Sequence, residues 1–169
     1  MSSTPNDGLW NFALALYGSK GVGEACLQLQ DQSDVDVPML LFALWLAANS
    51  VELTESELGR IDSQIKDWRA EVVGPLRTIR RRLKEGPHPA PSTDTDALRN
   101  MIKAAELNSE KIELTLLEAE GRAMMSGAEK KPGVARENAI TVVRYFRQAE
   151  LGEPEQQAVD AIMIAFDLI

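Results

Sequence analysis

Five groups of residues have the types and spacing to do chemistry. Cys26 and His88 are the only cysteine and the only histidine in the chain, and a thiol beside an imidazole is the simplest nucleophile and base pair. His88 falls in a proline-rich stretch and no third group is placed to orient it. Cys26 shares a helical face with Val22 and Leu29, which predicts a buried, inert thiol. The run Gly18-Ser-Lys20-Gly21-Val-Gly23 has the glycines of a phosphate loop, but no strand precedes it and its lysine does not follow the last glycine, so it reads as a turn between helices. Asp31, Asp34 and Asp36, with Glu24 upstream, are dense enough in carboxylate to suggest Ca²⁺ or Mg²⁺. Their spacing misses the calcium-loop pattern, and helix capping accounts for Asp34 and Asp36. With one Cys and one His a common zinc site cannot be assembled. No metal and no cofactor is expected.

Arg77, Arg80, Arg81, Arg82 and Lys84 form the fourth group. Arginine forks suit phosphate or carboxylate, so Arg77, Arg80 and Arg81 are the candidates for holding an anion or a nucleic-acid backbone. The competing reading is a solvated face near a helix C-terminus, neutralised by nearby acids. The fifth group is aromatic: Trp10, Tyr17, Trp45 and Trp68, with the polar Gln28, Gln30 and Asp31 close in sequence, could line a helical pocket for an apolar ligand, in a binder or in an enzyme. The same aromatics serve equally as core.

These residues must be positioned by helices. Apolar residues recur at steps of three and four, and sustained alternation is absent, so the fold class is all-α. Asn6 or Asp7 is expected to cap a helix over 9–17 with Trp10, Ala13, Leu14 and Tyr17 on one face. A second helix should end near Gln30, before Asp31-Gln-Ser-Asp34. Asp36 caps a third over 37–49, inside the longest uncharged run, 37–51. That run is 15 residues, short of the roughly 20 that a bilayer-spanning helix needs, so no membrane anchor is expected. Thr54-Glu-Ser-Glu57 fits a capping box ahead of Leu58, Ile61, Ile65, Trp68 and Val72. Gly74-Pro75 should kink or break that helix, which resumes to about Lys84 with Arg77, Arg81 and Lys84 outward.

Gly86-Pro-His-Pro-Ala-Pro91-Ser-Thr reads as an extended linker. It divides the expected organisation into an N-terminal helical bundle over 1–85, a Pro-rich linker over 86–94, and a long helix with two C-terminal helices packed on it over 95–169, the last either separate or packed on the first part as one domain. Asp94 or Thr95 should cap the long helix. Along it Leu98, Ile102, Ala105, Ser109, Ile112, Leu116, Ala119 and Ala123 make a heptad seam, for which Leu98, Ile102, Ala105, Ile112 and Leu116 are the candidate partner contacts. Leu107, Leu114, Leu117 and Met124 make a second stripe. A helix with two apolar faces needs two neighbours.

Of 169 residues, 26 are acidic and 18 basic, for a formal charge of −8. Neither the first 92 residues nor the remainder is basic, so nucleic acid is not an expected partner. The N-terminus MSSTPNDGLW lacks a basic run followed by an apolar stretch, which predicts a cytoplasmic location. Together these readings favour a non-enzymatic protein that engages a protein partner or a second copy of itself.

The segments Leu9-Trp10-x-Phe12-Ala13-x-x-x-Tyr17, Gly21-Val22-x-x-Ala25-Cys26-Leu27-x-Leu29-Gln30-Asp31 and Asp36-Val37-x-x-Leu40-Leu41-Phe42-x-Leu44-Trp45-Leu46 carry a resemblance. Trp68-Arg69-x-Glu71-Val72-Val73-x-Pro75-Leu76-Arg77-x-x-Arg80-Arg81 and Ala105-Glu106-Leu107-x-x-Glu110 extend it. In this order they resemble a bacterial family known as domain of unknown function twenty-three ninety, over roughly residues 9 to 110. The resemblance implies a small, helical, cytoplasmic bacterial protein and brings with it no catalytic residues.

Overall fold

A computed structural model describes residues 8–169. Among the described residues there is no strand, and the elements follow one another as α1 (Leu9–Tyr17), α2 (Val22–Ser33), α3 (Val37–Ala48), α4 (Glu55–Trp68), a π-helical turn (Arg69–Val73), α5 (Gly74–Arg82), α6 (Thr93–Gly127), α7 (Ala135–Arg147) and α8 (Glu153–Phe166). The fold class is all-α, with the long helix and two C-terminal helices that the sequence predicts. The Asn6 or Asp7 cap lies outside the described residues. Two compact units are present: residues 8–60 with 114–169, and residues 61–113. The Pro-rich segment 86–94, expected as a boundary, lies inside the second unit.

The first unit is organised around α3. Every residue from Val37 to Ala47 is buried, because a helix apolar on all sides is stable only when enclosed on all sides. α1, α2 and α7 surround it, and α8 packs on α2 and α7. Asp36 caps α3 as expected, accepting the Met39 N–H at 3.1 Å. The C-terminal half of α6 also reaches this core: a Cβ at Gly121 would stand 2.6 Å from the Trp45 ring and 2.8 Å from Phe42, so only glycine permits that approach. Two elements depart from expectation. The inward face of α1 is Leu9, Phe12, Ala13 and Leu16, while Leu14 and Tyr17 are exposed; Phe12, in edge contact with Phe166, sets that rotation. α2 continues through the polar run to Ser33 and stops where Asp34 turns left-handed at φ 53°, a conformation that a short polar side chain tolerates. The extra turn places the Ser33 hydroxyl to donate to Glu155 Oε1 on α8 at 2.8 Å.

The capping box at Thr54 and Glu57 forms in both directions, with Thr54 N–H to Glu57 Oε2 at 3.0 Å and Glu57 N–H to Thr54 Oγ1 at 3.3 Å. At Gly74-Pro75 the helix neither breaks nor restarts. The Gly74 N–H bonds back to the Arg69 carbonyl, one residue further than in an α-helix, and this wider turn accommodates a proline that has no N–H and whose ring would crowd the preceding turn.

The second unit is a helical hairpin. Trp68 meets Ser109, Arg77 meets Glu106, and Arg99 meets the carbonyl of Arg80, so the α4–α5 arm and the first part of α6 run antiparallel. The proline-rich stretch is the hairpin connection. It folds into turns, one closed by Ala90 N–H to Pro87 O at 2.7 Å, where an extended linker was expected. Ser92, rather than Asp94 or Thr95, begins α6: its hydroxyl accepts the Thr95 N–H at 3.2 Å and its own N–H donates to Thr95 Oγ1 at 2.8 Å.

Candidate functional site

In the hairpin Arg77, Arg80, Glu106 and Glu110 lie between the helices. Arg77 and Arg80 are three residues apart on α5, and Glu106 and Glu110 are four apart on α6, so each pair occupies one helical face. Arg77 Nε donates to Glu106 Oε1 at 3.0 Å and Nη2 to Glu110 Oε1 at 2.7 Å; Arg80 bonds both oxygens of Glu106, one through Nε and the other through Nη2 at 3.3 Å. The expected outward face is therefore corrected for Arg77, which the two carboxylates draw to the seam, while Arg81 remains exposed. Glu106 and Glu110 occupy the forks through which Arg77 and Arg80 were expected to hold an anion.

Burial pushes the Glu106 carboxyl up, but the hydrogen bonds and positive charge of Arg80 and Arg77 outweigh it and hold the group below its ordinary value of 4.5. A carboxyl whose folded value is depressed contributes stability above its unfolded value and loses it as pH falls through the folded one. The stability gap between the native chain and Glu106→Gln should accordingly be constant from about pH 7 to 5 and shrink below pH 4.5. Urea unfolding at stepped pH reads this; a gap independent of pH would show that the charge of Glu106 contributes nothing.

Nearer the π-helical turn, Arg69 joins two further acids, with Nη1 2.8 Å from Asp62 Oδ1 and Nη2 3.6 Å from Glu113 Oε1. The Trp68 indole N–H donates to the Ser109 carbonyl at 3.0 Å. The inner face of α6 in this unit is thus Glu106, Ser109 and Glu113, all buried, Glu113 completely.

Its exposed surface carries an apolar stripe. Leu98 is 47% exposed, Met101 70% and Ile112 50%; Ala105 is exposed as well, and Ile102 half-buried. Where α6 continues into the first unit, Leu116 is also exposed; of the second stripe Leu114 and Leu117 are buried, Met124 is half-buried and Leu107 is exposed. Four of the five seam candidates therefore face solvent. Sequence reasoning found most of this stripe, though not Met101, and missed the acidic face behind it, on which it placed Ser109 as seam; the signal of that face was opposite charge at helical spacing on two segments.

The family described as Protein of unknown function (DUF2390) matches residues 8–117. The chain belongs to this family. No curated protein and no solved structure matches it. The DUF2390 match ends in α6, so it includes every residue of the hairpin's ionic seam.

The pocket candidates are divided between the two units of this DUF2390 chain. Trp45 is enclosed in the first, beside Phe42 and under the Arg122 guanidinium at 5.8 Å. Trp10 is half-buried and Tyr17 exposed on α1. The Gln28 amide donates to the Pro154 carbonyl at 3.3 Å; Gln30 is half-buried and Asp31 exposed. Trp68 belongs to the second unit. A separate cleft lined by Glu55, Arg144, Tyr145, Gln148, Ala149 and Glu150 is polar, and its Arg144 stands 3.9 Å from both Glu55 and Glu150.

The remaining groups serve structure. Gly18 to Gly23 is the α1–α2 turn, with Gly21 left-handed at φ 83°. Asp34 and Asp36 end α2 and begin α3, and among the described residues no His, Cys, Asp and Glu cluster has metal-binding geometry. Burial pushes the Cys26 thiol up to about 12, which removes the thiolate a nucleophile needs. His88 is exposed in the hairpin connection. Among the described residues no helix is long and apolar enough to cross a membrane.

Proposed function

We propose that this DUF2390 protein is a non-enzymatic interaction module of the bacterial cytoplasm that docks through the outer face of α6. One observation carries the reading: the hairpin buries Glu106 and Glu113 against Arg69, Arg77 and Arg80 and leaves the apolar Leu98, Met101 and Ile112 exposed. A helix in an isolated soluble domain turns its apolar stripe to the core. In this hairpin α6 turns Glu106, Ser109 and Glu113 inward and leaves Leu98, Met101 and Ile112 in water. Burying ion pairs contributes little net stability, yet it fixes orientation, since a charge that leaves its partner is penalised. The arginines of α5 thereby fix the rotation of α6 about its axis, and that rotation presents the stripe. Contiguous exposed apolar surface of this kind marks protein docking sites.

Photo-crosslinking amino acids placed singly at Met101, Ile112 and Lys103 test this in cells producing the full chain. All three positions are exposed, but Lys103 lies off the stripe. Discrete adducts should form from Met101 and Ile112 at least tenfold more strongly than from Lys103. Equal yields at the three positions, or none, would remove the docking face.

A further inference from the structure

We infer that the α6 stripe is one wall of a groove within the second unit, and that the occupant of this groove is an acidic amphipathic helix of another protein. This rests on the docking reading above and adds the second wall and the chemistry of the partner. Arg77 reaches past Glu106 to Glu110, which sets Arg77 and Glu110 at one edge of the ionic seam. Turning away from that edge at about 100° per residue, α6 presents Ile102, Leu98, Ala105 and Met101 in succession, and α5 presents Leu76, Leu83 and Ile79. Two antiparallel helices are related by a two-fold axis across their seam, so these apolar edges lie on the same side of the hairpin. Ile79, Leu98 and Met101 are exposed, and Leu76, Leu83 and Ile102 half-buried; the half-buried residues form a floor and the exposed ones its sides.

The charges around the groove select the occupant. In 74–84 and 97–113, the stretches that carry it, the exposed charged side chains are Arg81, Arg82, Lys84, Lys103 and Lys111, all basic. The acids of the same stretches, Glu106, Glu110 and Glu113, turn into the seam. Continuing around the two helices past Ile79 and Met101, the first charged groups of these stretches are Arg82 and Lys111, one on each rim. The exposed acids Glu85, Asp94 and Asp96 stand beyond the end of the groove, at the hairpin turn and in the first turn of α6. A basic rim around an apolar floor, in a chain of formal charge −8, is complementary to a helix with apolar residues on one face and carboxylates beside them. A second copy would bring the same cations to both rims. A nucleic-acid backbone would gain nothing from the apolar walls, and a flat lipid surface would not reach the half-buried floor.

The extent of the contact sets its strength. From Leu98 to Ile112 the α6 wall is about 21 Å long at 1.5 Å per residue and, at a helix width of about 12 Å, the contact covers roughly 250 Å² on each partner. A total of roughly 500 Å² is far below that of stable complexes and fits a weak, reversible contact with about four turns of helix. The rim cations are exposed, so salt screens them. Binding therefore weakens as salt rises, while the apolar part of it persists.

The probe is a fluorescein-labelled peptide about four turns long, with leucine at steps of three and four and glutamate between, titrated with the full chain and read by anisotropy. It should bind at least tenfold more tightly than the same peptide with lysine in place of glutamate, and than one of identical composition with the leucines scrambled. Ile79→Glu and Met101→Glu, one on each wall, should each weaken binding at least tenfold without changing the circular dichroism, whereas Leu107→Glu, exposed on the far side of Glu110, should not. Arg82→Glu, which leaves the apolar walls intact, should weaken it severalfold. Acidic and basic peptides binding alike, or Leu107→Glu losing as much as Met101→Glu, would overturn the groove with its basic rim, and an effect of Met101→Glu without one of Ile79→Glu would remove the α5 wall. Phosphatidylglycerol vesicles that bind in place of the peptide, and are released by the same substitutions, would overturn a protein helix as the occupant. No peptide binding, with photo-adducts still forming from Met101 and Ile112 in cells, would overturn the acidic helix and keep the docking reading with a different partner; the absence of both would remove both.

Discussion

Replacing Asn138 with alanine is expected to cost about 4 kcal/mol of stability and to lower the midpoint of thermal unfolding by roughly 10 °C, as followed by circular dichroism. The side chain is fully buried in the first unit and uses its amide completely. Nδ2 donates to the carbonyls of Ala43 and Val51, both at 3.0 Å, and Oδ1 accepts the N–H of Leu53 at 2.9 Å. Val51 and Leu53 lie in the non-helical connection between α3 and α4, where no helical ladder supplies partners. Alanine leaves that backbone buried without the bonds, and each orphaned group costs about 1–3 kcal/mol. Asn138→Asp should be no better, since it keeps one acceptor, loses both donors and buries a charge. A loss under about 1 kcal/mol for Asn138→Ala would mean that water or a shift of α7 restores these bonds.

Asn138 also shows where sequence reading ends. Along α7 the apolar Ala139, Val142 and Val143 stand at helical spacing, which reports burial directly, and all three are buried. A buried amide leaves no such trace, since asparagine is as common on surfaces. The α3 span and its Asp36 cap were legible for the same reason, as was the Thr54–Glu57 box, whose bonds are local and whose residue types are restricted. Asp34 misled because a polar run signals a helix end without saying which residue takes the left-handed conformation. Pro75 misled because the rule assumes an α-helical turn ahead of it, and a π-turn relieves the clash.

The largest gap concerns α6. Hydrophobic spacing identifies a stripe and by default sends it inward, yet α6 has an acidic face at the same spacing. Which face turns inward depends on the opposite helix, and α5 presents Arg77 and Arg80. Of the seam that the sequence places, Ser109 is buried and Ile102 half-buried, and Met101 of the exposed stripe is not on it; Leu98, Ala105, Ile112 and Leu116, expected as partner contacts, all face outward. That direction is what gives it a functional meaning: the same Leu98 and Ile112 facing inward would be ordinary core.

The second large effect is expected at Arg69. Arg69→Met should lower stability in urea by about 3–5 kcal/mol, the range for removing one partner of a buried ion pair. Arg69 joins Asp62 and Glu113, whose side chains are 11% and 0% exposed, so methionine fills the space while removing the cation that both carboxylates share in a poorly solvated seam. The attraction lost is secondary to the desolvation left uncompensated. It follows that combining Arg69→Met with Asp62→Asn and Glu113→Gln should recover most of the loss, because neutral amides do not repel. Arg69→Lys should fall between, since an ammonium keeps the charge but lacks the planar fork that reaches two acids from one position. Trp68, next in sequence and bonded to Ser109, supplies a fluorescence signal inside the same unit. If the triple variant is no more stable than Arg69→Met, the loss belongs to the packing of the arginine stem, and the orientation of α6 must then come from the Arg77 and Arg80 pairs with Glu106 alone. If it recovers, charge neutrality is what the seam requires, and α6 can be released by changing a single cation.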